Sequence, residues 1–234
     1  MKSNQQSELD VFMDFCVEHW NDPYNSLESN PELMAKLEEG IQNLLLPACE
    51  EGDENAMFWM AECYDAGWGV EPDGQKAFAL RRKLAEMGYP NQQINMGNYY
   101  REGDLVKCNP RAAFCWYMRA AKQGYWCGQL LVADCYFEGN GVKQDYKEAV
   151  KWYESGVAQF NNEHPDRVDD EEVEYFPIDI AVNRLTQCYR EGLGVKKDLE
   201  KAAEWYDKAG NHRYAELIRT YGDDADEHDP DCPF

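Results

Sequence analysis

The sequence predicts an all-α fold of paired helices. Three observations point there: a repeat of fixed period, apolar stripes at helical spacing within each repeat, and glycines and capping residues that mark where helices stop and start. The strings AECYDAGWGVEPDGQKA (61–77), GNYYREGDLVKCNPRAA (97–113), ADCYFEGNGVKQDYKEA (133–149) and TQCYREGLGVKKDLEKA (186–202) align without a gap. Tyr64, Tyr100 and Tyr136 fall 36 residues apart, and the step to Tyr189 is 53, one period plus 17 residues inserted near 158–176. A period in the 20–50 range decides architecture, because one such unit cannot bury its apolar face alone and must stack on a neighbour.

Each unit reads as two helices. In the first, apolar or small residues recur every four positions (Ala56, Met60, Tyr64; Ala181, Leu185, Tyr189), which predicts one buried stripe on a helix packed on one side. Gly67, Gly103, Gly139 and Gly192 end that helix, since glycine takes the left-handed conformation without a Cβ penalty. A second glycine (Gly69, Gly141, Gly194) and a valine (Val70, Val106, Val142, Val195) shape the turn, and Leu105 replaces that glycine in the second unit. The second helix starts behind Asp73, Asp145 and Asp198, whose carboxylates can accept orphan first-turn amides; Asn109-Pro110 meets the same demand in the second unit. Ala77, Ala113, Ala149 and Ala202 then open a stripe continuing through Trp116-Tyr117, Trp152-Tyr153 and Trp205-Tyr206.

In its tyrosine, Gly-x-Gly-Val, Asp, Lys-Ala and Trp-Tyr register, complete in Tyr189, Gly192, Gly194, Val195, Asp198, Lys201, Ala202, Trp205 and Tyr206, the chain resembles the Sel-one-like repeat family. These are relatives of the tetratricopeptide repeats. The resemblance covers roughly 55–210 and implies a right-handed α/α solenoid of antiparallel helix pairs, about four units long. The first unit departs with Leu80-Arg81 in place of Trp-Tyr and the third with Gly156-Val157 in place of Ala-Ala, which predicts locally weaker packing. Residues 31–51 read as the second helix of a degenerate leading unit, and helices around 8–20 and 211–221 as caps for the solenoid ends. The organisation expected is an acidic cap over 1–54, the solenoid over 55–210, and a capping helix with an acidic tail over 211–234.

Charge bears on partners. The chain holds 45 acidic and 23 basic residues, a formal net charge of -22. Residues 1–54 carry -11, 163–174 carry -6 and 223–234 carry -6, so the body between them sits at +1. Nucleic acids and anionic membranes would be repelled, whereas a protein with a basic surface would be attracted. With 44% hydrophobic residues, 10 prolines and no apolar run of about 18, the chain reads as a soluble globular protein. No apolar stretch follows Lys2, so no secretory leader is read and the expected location is the cytoplasm. Nine scattered cysteines then fit reduced thiols. Cys63, Cys135 and Cys188 share the place before the repeat tyrosine, a small buried position.

No catalytic or metal-ligating constellation is assigned, and no cofactor is expected. Cys16 with His19, and His228 with Cys232, could make up a zinc ligand set, but they sit at opposite chain ends without a Cys-x2-Cys element. His164 and His212 are isolated. In helix-pair solenoids the first helices line a concave groove, and by register its candidate partner-binding residues are Phe58, Glu62, Asp65, Asn98, Arg101, Leu130, Asp134, Phe137, Gln187 and Arg190. Two exposed phenylalanines beside Arg and Asp suit interface anchors. The acidic insertion, with Asp169, Asp170, Glu171 and Glu172, is either a solvated loop or a second contact. It lacks the glycine and alternating oxygen ligands of a calcium loop. The resemblance implies an adaptor or scaffold, and the acidity suits a narrower role as an inhibitor, such as an immunity protein neutralising a bacterial toxin. Cysteine-rich members of the family, which carry one disulfide per repeat, raise the alternative of a β-lactam-hydrolysing enzyme. The short pairs here, Cys127 with Cys135 and Cys108 with Cys115, do not reproduce that disulfide pattern.

Overall fold

A computed structural model describes residues 2–20, 30–163, 176–208, 211–222 and 224–225. Among these the chain is helical and contains no strand. It divides into two compact units, Met1–Met96 and Gly97–Phe234.

In the first unit, α1 (Lys2–Trp20) packs on α2 (Pro31–Gly40), a π-turn (Ile41–Leu45) and α3 (Leu46–Glu51), which form one continuous rod. Asn30 caps the rod by accepting from the amides of Glu32 and Leu33. The wide turn lies just before Pro47. Proline has no amide hydrogen and its ring crowds the carbonyl four residues back, and the Leu46 amide bonds instead to the Ile41 carbonyl five residues back. Leu9, Phe12, Phe15 and Cys16 of α1 meet Leu37, Ile41 and Leu45, which in turn meet Ala56, Met60 and Cys63 of α4 (Glu54–Ala66). Then α5 (Gly74–Met87) returns along α4 as the second helix of the first repeat, and α6 (Pro90–Glu102) begins the next. The rod covers 31–51 and α1 covers Lys2–Trp20, both before the first repeat.

The second unit continues with α7 (Pro110–Lys122), α8 (Trp126–Glu138), α9 (Tyr146–Glu163), α10 (Phe176–Glu191), α11 (Leu199–Lys208) and the cap α12 (His212–Tyr221). Its largest core joins Leu130, Ala149, Tyr153, Phe160, Ile178, Leu185 and Trp205 across the last two repeats.

The repeat turns are built alike. Asp73, Asn109, Asp145 and Asp198 each cap the following helix through a side-chain oxygen. Their own amides donate back to the carbonyls of Tyr64, Tyr100, Tyr136 and Tyr189 at 2.7–2.9 Å. One residue therefore closes both ends of the turn, satisfying a carbonyl of the first helix and an amide of the second. The first glycine of each turn is left-handed, with φ between 74° and 85°. The second glycine does more than shape the turn. A Cβ on Gly141 would run into the Pro110 carbonyl, and one on Gly194 into the Lys147 amide, so each turn rests on the start of the preceding unit's second helix.

The first helices are not buried on one side only. Each lies against its own second helix and the one before it, and α8 buries Gly128, Gln129, Leu130, Val132, Ala133 and Cys135. The departure in the third unit is filled by packing from the facing helix. Gly156 makes room for Leu130, whose side chain a Cβ there would strike, and Val157 is buried beside it. Trp152, expected in the buried stripe, is half-buried and packs against two cores.

Candidate protein-binding face

The exposed sides of α4, α6, α8 and α10 hold most of the residues expected to line a groove. On α4, Phe58 is exposed and meets Trp59 edge-on with centroids 5.5 Å apart. Glu62 and Asp65, one turn apart, converge on a single guanidinium: Arg81 reaches them at 2.6 and 2.5 Å. Arg81 is buried. It occupies the position of the missing Trp-Tyr tyrosine, and burying it is affordable only because two carboxylates take its donors.

The same link recurs with tyrosine. The Tyr117 hydroxyl donates to Asn98 at 2.8 Å, the Tyr153 hydroxyl donates to Asp134, and the Tyr206 hydroxyl donates to Asn183 at 2.8 Å. The second helix of each unit thus ties its aromatic or guanidinium tip to the outward side of the first. Glu62 and Arg81, Asn98 and Tyr117, and Asp134 and Tyr153 are each 19 residues apart. That spacing, shared by three units and lengthened to 23 between Asn183 and Tyr206 in the fourth, is the signal that could have shown the link. Around Asp134 it grows into a network. Arg184 of α10 donates to Asp134 at 2.9 Å and to Glu138 at 2.6 Å, and its guanidinium lies 5.1 Å from the Phe137 ring centroid. Burial pushes the Asp134 carboxyl above the ordinary carboxylate range, against the pull of the Tyr153 hydroxyl and the Arg184 charge. Burial opposes the charge on Arg184 too, yet Tyr153, Asp134 and Glu138 hold it above the usual guanidinium value. No local pattern marks Arg184, because it sits beyond the insertion, 50 residues from Asp134.

The remaining expected residues divide. Asn98 accepts the Tyr117 bond, Arg101 is exposed and paired with Glu102 at 3.0 Å, and Gln187 is exposed and bonded to Glu191. Arg190 is half-buried. Leu130 does not belong to the face: it is 2% exposed, drawn into the core by the space that Gly156 leaves. Phe137 is half-buried rather than exposed, with Tyr146, Tyr153 and Arg184 around its ring. Asp169, Asp170, Glu171 and Glu172, His164, and the tail with His228 and Cys232 lie outside the described residues. Cys16 is buried, while His19 folds onto the Phe15 ring and bonds the Phe15 carbonyl at 2.9 Å. Cys63, Cys135 and Cys188 are buried free thiols, as their shared position predicts, and Cys108, Cys115 and Cys127 are free as well. Among the described residues no helix is long and apolar enough to cross a membrane.

Charge divides between the two helices of each repeat. The first helices α4, α6, α8 and α10 carry eight carboxylates and three arginines, whereas the second helices α5, α7, α9 and α11 carry seven carboxylates and eleven cations. The near-neutral body is therefore acidic along one set of helices. Arg81 of α5 reaches into that set and Arg184 of α10 belongs to it; each is shared between two carboxylates, so the acidic excess remains.

Stacked helix pairs with capped turns in this register define a helical-repeat protein of the solenoid class. The Sel1 repeat family matches residues 55–89, 93–125, 128–159 and 180–214, more than half of the chain, which therefore belongs to that family. Among solved structures it is similar to a Sel1 repeat protein from Oxalobacter formigenes, at 26% identity and a TM-score of 0.60 over 79% of this chain and 69% of that one. It is also similar to c5321, a protective antigen of uropathogenic Escherichia coli with the same repeat fold, at 26% identity and a TM-score of 0.65. That match covers 92% of this chain but only 44% of the other. No curated protein matches. Sel1 repeat proteins generally mediate protein–protein interaction.

Proposed function

We propose that this chain is a cytoplasmic binding module that holds a basic protein on the exposed sides of its first helices, each unit taken by itself. The observation that carries this reading is the segregation of charge between first and second helices, with Arg81 and Arg184 each spanned by two carboxylates. A partner bringing Lys or Arg side chains would complete carboxylates that are already held in place. In the first unit Phe58 supplies apolar contact on the helix that carries Glu62 and Asp65, and in the second unit the rim of Phe137 does so beside Asp134 and Glu138, the mixture of aromatic and charged anchors typical of interface hot spots.

Within that reading the narrower role is inhibition of a basic partner, as an immunity protein inhibits a toxin. The acidic insertion at Asp169, Asp170, Glu171 and Glu172 would steer the encounter. Affinity capture from the native host with the wild-type chain, compared with Phe58→Ala and Glu102→Lys, tests it. The expected result is one basic protein captured by the wild type and lost or weakened by about tenfold with either variant. Capture that is indifferent to both would move the interface off this face.

A further inference from the structure

The strongest feature outside the repeats is a cleft in the first unit. Between α1 and the rod lies a cavity of about 530 Å³, within the range of roughly 300–1,000 Å³ typical of binding pockets. Phe12, Phe15 and Leu44 line it, and Val11 stands at its lip, 67% exposed. Gly40 lets α1 approach, because a Cβ there would strike the Phe12 ring. The wall opposite α1 includes Asn43 and Leu44 of the π-turn, a distortion that recurs at functional sites. Apolar exposure continues along α1 at Val17, 48% exposed.

The cleft is apolar inside and acidic around. Glu8 and Glu39 line it, and Asp10, Asp14, Glu18 and Glu32 lie exposed on the same two helices. Lys36 is the one lysine or arginine among the described residues of α1 beyond residue 6, α2 and the π-turn, and its ammonium rests 4.5 Å from the Phe15 centroid. A ring face that holds one cation, beside carboxylates in excess, suits a ligand that pairs apolar side chains with positive charge. Anionic lipid and a second copy of this acidic surface are both disfavoured by the same field. A helix laid in such a groove presents apolar residues at i, i+3/i+4 and i+7 and leaves its other positions to the rim.

We propose that the cleft between α1 and the π-turn is a second docking site, separate from the repeat face, that takes a basic amphipathic helix of a partner protein, with apolar side chains against Phe12, Phe15 and Leu44 and Lys or Arg on the Glu8 and Glu39 rim. The full-length protein is titrated into three fluorescent 14-residue peptides by anisotropy: a leucine-lysine amphipathic helix, its scramble, and the same apolar pattern with glutamate for lysine. The leucine-lysine helix is expected to bind at least about tenfold more tightly than either control. Val11→Glu and Glu39→Lys should each weaken it by about tenfold, with helicity unchanged by circular dichroism. A photo-crosslinker on a peptide leucine should label residues 7–15 or 36–44. Equal affinity for the scramble, indifference to both substitutions, or labelling of the repeat helices would overturn the site. Concentration-dependent dimerisation abolished by Val11→Glu would overturn it too, by naming a second copy as the occupant.

Discussion

Leu130 shows at residue scale what a period can and cannot reveal. Its place in the repeat register puts it on the outward side, yet Gly156 on the facing helix draws it into the core. Leu130→Ala should destabilise by about 2–5 kcal/mol, as buried leucine truncations do. Gly156→Ala should cost about 1–3 kcal/mol by overpacking, and the double variant should lose less than the sum, because the truncated side chain vacates the space the new methyl needs. Urea melts of the three variants would check this. The capping residues were legible because a cap depends on its own turn. Leu130 and Arg81 were not, because their surroundings come from other helices. Thiol chemistry gives a second prediction at this scale. Burial pushes Cys16, Cys63 and Cys135 up to about 12, and Cys127 and Cys188 to about 11, whereas Cys108 and Cys115 are exposed. Alkylation of the native protein near pH 8, followed by peptide mapping, should modify Cys108 and Cys115 first and reach the buried thiols only on unfolding.

At the scale of elements, first and second helices were readable from stripes, glycines and caps, and the tyrosine-to-cap bond explains why the turns superimpose in sequence. The link from second helix to first was hidden by its changing chemistry and spacing: arginine to carboxylates in one unit, tyrosine to Asn or Asp in the others, at 19 residues in three units and 23 in the fourth. Tyr153→Phe tests it. Removing the hydroxyl leaves the buried side of Asp134 one donor short, and should cost about 1–3 kcal/mol in a urea melt. The docking of α12 gives a pH prediction. His212 and Arg219 donate to Asp207 and hold its carboxyl below the ordinary range, and Arg219 also pairs with Glu200. A depressed carboxylate stabilises the fold above its unfolded value of about 3.9 and loses that contribution as pH falls through the lower folded value. Amide exchange in α12 should therefore quicken relative to α9 on acidification below about pH 4, and an Asp207→Asn variant should lack that selective response.

For the whole molecule, the sequence already showed that the excess charge sits in flanks and an insertion. It took the helix boundaries to show that the body is itself divided, acidic on the first helices and basic on the second. Steering by the flanks and holding by the face are separable: charges at a distance act on encounter and fade with salt, whereas desolvated pairs act on dissociation. Neutralising Asp169, Asp170, Glu171 and Glu172 to Asn and Gln should slow association with the captured partner several-fold at low salt and change dissociation little. Hydroxyl-radical footprinting of the captured complex, read residue by residue by mass spectrometry, shows directly which helices hold the partner. The expected result is protection of Phe58 on α4 in the first unit and of exposed side chains on α8 and α10 in the second, with a basic partner. Protection confined to α5, α7, α9 and α11, with Phe58 oxidised as in the free protein, would contradict it.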